Sequence, residues 1–246
     1  QMEMEFFIPP EEDEKWYEYW KKKKKNWYLM YGMREDHLRL REHEKSELAH
    51  YAKACADVEF LYPWGWDELE GIANRTNFDL NTHQEHSGKD LTYYNEQTKE
   101  RYLPYVIEPA AGADRTTLAF LIDAYDEEVK ENGETRVVLH FHPKLAPVKV
   151  AVFPLMKKDG LDELAHKIEN DLRESFTTFY DQSGAIGRRY ARQDEIGTPF
   201  CVTIDYDSKT EGTVTLRLRD SMEQKRVKIE DLEKVIREEI KNWKRV

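Results

Sequence analysis

One charged stretch, DEEVKENGETR at residues 126–136, separates two sequence grammars, and that change constrains the fold more than any single motif. Upstream, MEMEFFI alternates, with Met2, Met4 and Phe6 on one side and Glu3 and Glu5 on the other, the pattern of a strand with two faces. VEFLYPWGWDELEGIANRTNFDL (58–80) reads as strand, turn, strand, with Trp64 and Trp66 around Gly65, and YVIEP is a further strand that runs into a helix. Downstream, strands and helices alternate. PVKVAVFPL is a short apolar strand, and LDELAHKIENDLRESF puts Leu161, Leu164, Ile168, Leu172 and Phe176 on one helical face. FCVTIDYD and TVTLRLRD are strands, and a last helix carries Ile229, Leu232, Ile236, Ile240 and Trp243 inward. The expected fold class is α+β. Residues 1–135 form an antiparallel sheet with helices, and residues 136–246 a compact α/β domain with a mixed sheet, joined by the charged link.

Smaller features fit into this frame. Pro9 and Pro10 end the first strand, and EEDE starts a helix in which Trp16, Tyr19, Trp20 and Trp27 share a face. The lysines at 21–25 mostly decorate its solvated side, where base at the end and acid at the start suit the helix dipole. REHEKSELAHYAKA reads as another helix, with His43, Glu47 and His50 at i, i+4 and i+7. That is a metal-like spacing without an HExxH core, and a hydrogen-bonded surface row is expected. His140 and His142 in LHFHP are expected to be structural, and residues 81–101 a surface excursion. DQSGAIGRRYARQDEIGTP reads as a glycine-marked turn whose polar loop carries Arg188, Arg189 and Arg192.

Composition excludes several classes. No run approaches the roughly 20 apolar residues of a membrane helix. Cys55 and Cys201 have no CxxC partner, which argues against a zinc ribbon or a disulfide framework and for a reducing, cytoplasmic setting. The net charge of −11 is uneven: residues 1–135 hold 17 Lys and Arg against 30 Asp and Glu, so only the second half suits a polyanion. The opening QMEMEFFIPP has no initiator methionine, basic region or apolar signal core, and a piece of a longer protein is expected.

GxxxxGK[ST], GxGxxG and GxSxG are all absent, which removes a P-loop, a Rossmann site and an elbow nucleophile. What remains is a set of acids and arginines at strand ends: Glu3, Glu68, Arg75, Glu108 and Arg115. Carboxylates hold an ammonium, one arginine holds a carboxylate, and another stacks on a base or pairs with phosphate, so the set suits a zwitterion with an anionic partner. An internal salt-bridge network is the equal alternative from the residues alone. Glu108 and Arg115 bracket the slim segment PAAGAD, which a ligand can approach closely.

Seven blocks in order, QMEMEFF, HEKSELAHYA, GWDELEGIANRTNFDL, YVIEPAAGADRTTLAFL, LAPVKVAVFPL, GAIGRRYARQDEIGTPFCVTIDYDS and RDSMEQKRV, resemble the glycyl-tRNA synthetases of the dimeric class II type. The resemblance covers practically the whole chain. It implies the latter part of a class II catalytic domain in residues 1–135 and an anticodon-binding domain in 136–246. It also implies formation of glycyl-adenylate from glycine and ATP with Mg2+, then transfer of glycine to tRNA. Residue by residue, it implies a glycine site at Gln1, Met2, Glu3, Arg75, Glu108, Pro109, Ala110, Ala111 and Gly112. Within it, Glu3 and Glu108 contact the ammonium. Glu68 and Leu69 match a segment lining the ATP site, where Glu68 helps hold Mg2+. Gly112, Ala113, Asp114 and Arg115 match motif 3, whose arginine packs on adenine and reaches the phosphates.

Two departures stand out. The family commonly reads IEPS where this chain has Ala110, so a pocket hydroxyl and one hydrogen bond of about 1 kcal/mol are lost while smallness is kept. The family's motif 1, which builds its dimer interface, and its motif 2 arginine, which grips the α-phosphate, lie before Gln1. The expectation is a truncated ligase portion that binds tRNA and does not activate glycine, with homodimerisation belonging to the full-length enzyme. A non-catalytic relative, such as a synthetase-like accessory subunit of the mitochondrial DNA polymerase, is the alternative. Arg188, Arg189, Arg192 and Arg219 are candidate anticodon contacts, with ion-pair clusters involving Asp194, Glu195 and Asp220 as the alternative.

Overall fold

The computed structural model describes residues 1–129 and 133–245, which divide into two compact units, Gln1–Asp123 and Ala124–Val246.

The first unit is built on strands β1 (Met2–Glu3) and β2 (Phe6–Ile8), helix α1 (Asp13–Met30), and strands β3 (Leu38–Glu42), β4 (Ala54–Tyr62) and β5 (Gly65–Thr76). Helix α2 (Phe78–Ser87), the hairpin β6 (Tyr93–Asn95) and β7 (Glu100–Tyr102), strand β8 (Tyr105–Ala111) and helix α3 (Ala113–Ala124) follow. The six-stranded sheet is antiparallel throughout and runs β1-β8-β5-β4-β3, with β2 also on β8. Alternation decides its two faces. Ala56, Val58, Phe60 and Tyr62 of β4 and Ile72 of β5 enter a core with Tyr17 and Tyr28 of α1 and Ala119 of α3, while Asp57 and Glu59 point the other way. Gly65 makes the β4–β5 turn at φ +113, a region closed to most side chains. On α1, Trp16 and Trp20 pack on Phe6 with ring centroids 4.8 and 5.3 Å away. Lys21 departs from the solvated row: it is buried and paired with Glu18 and Glu42.

The expected helix around His43, Glu47 and His50 does not form. His43 continues the β3–β4 ladder, its N–H donating to Cys55 O at 2.9 Å, and the Glu47 carboxylate accepts from the Glu44 N–H at 2.8 Å. That local side-chain bond competes with a helical turn. His43 consequently pairs with Asp57, Glu47 with Arg41, and His50 packs against Tyr51 and Phe78.

The second unit begins with the hairpin β9 (Tyr125–Val129) and β10 (Thr135–Leu139), so most of the stretch read as a link is paired strand; residues 130–132 lie outside the described residues. Then come β11 (Val150–Pro154), α4 (Leu161–Arg173), β12 (Thr178–Tyr180), α5 (Ile186–Glu195), β13 (Phe200–Ile204), α6 (Tyr206–Glu211), β14 (Thr213–Leu218), β15 (Gln224–Lys228) and α7 (Leu232–Asn242). The sheet is mixed, in the order β12-β11-β13-β14-β15, with its first three strands parallel and its last two pairings antiparallel. The apolar face of α4 and Leu232 and Ile236 of α7 close one core with β11, β13 and β14. The stretch expected as an arginine-bearing loop is instead helix α5, whose Tyr190 hydroxyl meets Thr203 of β13 at 2.6 Å. Within it Arg188 and Arg192 are i, i+4 neighbours, while Arg189, one step round, is buried. His140 is bracketed by Glu128 and Asp220 at 3.0 and 2.7 Å.

Candidate functional site

Register across four strands assembles one polar face on the first unit. Glu3 lies opposite Ala110, Ala110 opposite Gly71, and Gly71 opposite Asp57. In the adjacent row Glu108 lies opposite Ala73, and Ala73 opposite Cys55. The three smallest side chains therefore form a floor, with acids at either end. Gly71 has no positive φ to explain its choice. A Cβ there would be in ordinary contact with Glu68 Oε1 at 3.4 Å and Asp57 Oδ1 at 3.7 Å, so two carboxylates flank the Gly71 position.

At the β1 end, carboxylate oxygens of Glu3, Glu5 and Glu108 lie within 4.8 Å of one another. They line an open cleft of about 510 Å3 with Phe7, Arg75, Asp79 and Leu80. Burial, and then Glu108, push the Glu5 carboxyl up from its usual value, although Arg75 opposes this. A small cation is what such a group favours. Arg75 supplies charge balance: Nη1 donates to Glu108 at 2.5 Å, and Nε and Nη2 donate to Asp79 at 2.7 and 3.1 Å. Its guanidinium lies 4.1 Å from the Tyr51 ring centre. The salt-bridge network of Arg75, Asp79 and Glu108 itself lines the cleft.

At the β4–β5 turn, Arg115 from the first turn of α3 lies 5.2 Å from the Tyr62 ring centre and pairs with Asp67 at 2.8 Å. It also donates from Nε to Glu68 O, while Tyr62 stacks on Trp64 with an interplanar angle of 9°. The Glu68 carboxyl is pushed up, first by burial and then by Asp57. Glu108 and Arg115 do not pair with each other, since each has its own partners. The face therefore offers an open acidic cleft at one end, and a cation with an aromatic ring at the other.

Comparison with known proteins agrees along the full chain. Residues 149–239 match the anticodon binding domain family. The glycine–tRNA ligase of Treponema denticola is 56% identical over 250 residues, which is 100% of this chain and 55% of that protein. Those of Caldanaerobacter subterraneus subsp. tengcongensis and Geobacillus kaustophilus are 56% and 55% identical, each over 98% of this chain and 52% of their own length. The chain is a relative of the glycine–tRNA ligases. It spans about half the length of the curated relatives it matches.

Against the residues that the resemblance to glycine–tRNA ligases singles out, the structure makes a division. Glu3, Arg75, Glu108 and Ala110 belong to the cleft and its floor. Met2, Pro109 and Ala111, one step out of phase, line a groove on the α1 face with Trp20 and Trp27, because neighbouring strand residues point oppositely. Gln1 is exposed, and Leu69, next to Glu68, is buried in the core. Gly112, Ala113 and Asp114 form the entry to α3, where Gly112 O accepts from the Thr116 N–H at 2.9 Å. Asp57, Tyr62, Asp67 and Asp79 were not singled out as site residues. Glu5 carried a signal, since it alternates in phase with Glu3.

The four candidate anticodon arginines also divide. Arg189 is 3% exposed and donates to the carbonyls of Pro154 and Gly184 at 2.6 and 3.1 Å. Arg219, 1% exposed, donates to Gly197 O and Phe141 O at 2.7 and 2.8 Å and pairs with Asp220. Arg188 is exposed, and Arg192 is half-buried and paired with Asp181. No described helix is long and apolar enough to cross a membrane.

Proposed function

We propose that this chain is the C-terminal portion of a glycine–tRNA ligase, in which residues 1–135 belong to a class II catalytic domain and 136–246 to an anticodon-binding domain. The observation that carries the reading is the acidic cleft of Glu3, Glu5 and Glu108 beside a floor of Ala110, Gly71 and Ala73, in a chain 56% identical to such ligases. Glu3 and Glu108 hold the ammonium of glycine. The floor has room for an amino acid without a side chain, and Ala110 keeps that size. Arg115, set over Tyr62, is placed for adenine and phosphate, and Glu68 is an oxygen ligand of the kind Mg2+ takes alongside substrate phosphates. The two steps, adenylate formation and transfer to tRNA, then proceed by positioning and charge stabilisation. A cytoplasmic setting and a homodimer for the full-length ligase belong to the same proposal.

The 246 residues alone are expected to give no glycine-dependent ATP–pyrophosphate exchange. Adenylate formation needs a second cation on the α-phosphate, and on the resemblance the arginine that supplies it belongs to motif 2, outside these residues. Fusion behind the N-terminal half of the Geobacillus kaustophilus relative is expected to restore exchange. Exchange by the unfused chain at a full-length ligase's rate would refute this reading of a half-site.

tRNA binding is expected to reside in the second unit and to weaken with salt. Arg188→Ala reduces the log–log salt slope by about 1, the value of one phosphate contact. Arg189→Ala leaves the slope unchanged and lowers stability, because its guanidinium is committed to backbone carbonyls. A changed slope for Arg189→Ala alone would reverse the assignment.

A further inference from the structure

We propose that His43, Cys55 and Asp57 form a binding site for a transition-metal dication of the Zn2+ type. Register builds the site: His43 is bonded to Cys55 across the β3–β4 ladder, and Asp57 is two residues further along β4, on the same face as Cys55. Ligand atoms of the three residues all lie within 4.8 Å of one another, with His43 Nε2 and Asp57 Oδ2 2.7 Å apart. One imidazole nitrogen, one sulfur and carboxylate oxygen make a donor set for Zn2+ and its neighbours; Mg2+ and Ca2+ prefer oxygen alone.

Glu68 Oε1 and Asp57 Oδ1 both lean over the space that a Cβ on Gly71 would take, so a second carboxylate flanks the cluster. Asp57 is only 7% exposed, and His43 is its hydrogen-bond partner among the described side chains. The surroundings are acidic. The carboxylates of Asp57 and Glu68, one in the cluster and one beside it, favour a dication there. On binding, the Cys55 S–H bond breaks, the proton passes to solvent and a metal–sulfur bond forms. Sulfur, a residue type that the reaction proposed above does not use, gives this site its selectivity.

The test is a Co2+ titration of the 246-residue chain, read by absorption. One equivalent is expected to produce the near-ultraviolet thiolate-to-cobalt charge-transfer band, and Zn2+ to abolish it. The band is lost in Cys55→Ser and weakened at equal Co2+ in His43→Gln, while circular dichroism melts of metal-free samples verify that both variants fold. Zn2+ raises the Tm of the parent and leaves that of Cys55→Ser unchanged. Absence of the band at saturating Co2+ overturns the proposal, as does its persistence in Cys55→Ser, which would assign it to Cys201. The readout needs neither glycine nor ATP, so its failure is distinguishable from failure of the ligase reading.

Discussion

Asp194→Ala is expected to remove about 3–5 kcal/mol from the stability of the second unit, the range for stripping one partner from a buried charge cluster. Asp194 is 2% exposed and lies between two guanidiniums that are themselves 4% and 5% exposed, Arg136 and Arg217. Arg217 places Nη1 and Nη2 on its two oxygens at 2.8 and 2.9 Å, and Arg136 adds Nε at 2.9 Å. Truncation leaves Arg217 without a carboxylate, whereas Arg136 keeps Glu128 at 2.6 Å and Arg219 O. Urea unfolding is expected to show a lower midpoint at an unchanged m value. Asp194→Leu combined with Arg217→Met separates charge from packing, since replacing both buried partners by apolar groups is close to neutral. The double variant should therefore recover most of the loss. A cost of less than about 1 kcal/mol for Asp194→Ala would show that water reaches the cluster. The functional consequence lies in α5, which this carboxylate docks against β10 and β14 and which presents Arg188 to solvent.

Arg75→Ala is expected to cost about 2–3 kcal/mol at neutral pH, less than a fully buried pair because Arg75 keeps some exposure. It deprives Glu108 and Asp79 of their shared cation and leaves Glu3, Glu5 and Glu108 clustered without one. The pH dependence has a definite sign. The folded Glu5 carboxyl titrates above its usual value even with Arg75 present, so its charged form opposes folding and its protonated form does not. Removing Arg75 raises it further. The deficit is therefore full at pH 7 and shrinks as pH falls through the raised folded value toward the ordinary carboxylate range near 4. Chemical denaturation at pH 7 and near pH 4.5 should separate the two; an equal penalty at both would mean lost packing on Tyr51 instead of charge. In the fused ligase, kcat/KM for glycine should fall about 100-fold, the equivalent of about 2.7 kcal/mol, with the KM for ATP little affected. Arg75→Lys should not rescue it, because one ammonium cannot hold Asp79 at two points while reaching Glu108.

The sequence by itself determined many of the elements and their kind. Alternation in MEMEFFI, the β4–β5 hairpin around Gly65, the apolar faces of α4 and α7 and the slim segment before α3 are all local patterns, and local patterns survive without a partner. The resemblance carried by seven blocks was legible for the same reason. Tertiary structure alone decided where side chains from different strands meet. REHEKSELAHYAKA has helical spacing, yet strand pairing with β4 wins over it and turns His43 toward Asp57. The arginines of α5 resemble an exposed cluster in one dimension, but α5 packs Arg189 onto backbone carbonyls and leaves Arg188 outside. Glu3, Ala110, Gly71 and Asp57 stand in one row only because four strands separated along the chain share a register. No local signal encodes that register. It is set by which alternation buries the apolar set against α1 and α3, and a slip of one residue would bring Met2, Pro109 and Ala111 to the cleft in place of Glu3, Glu108 and Ala110.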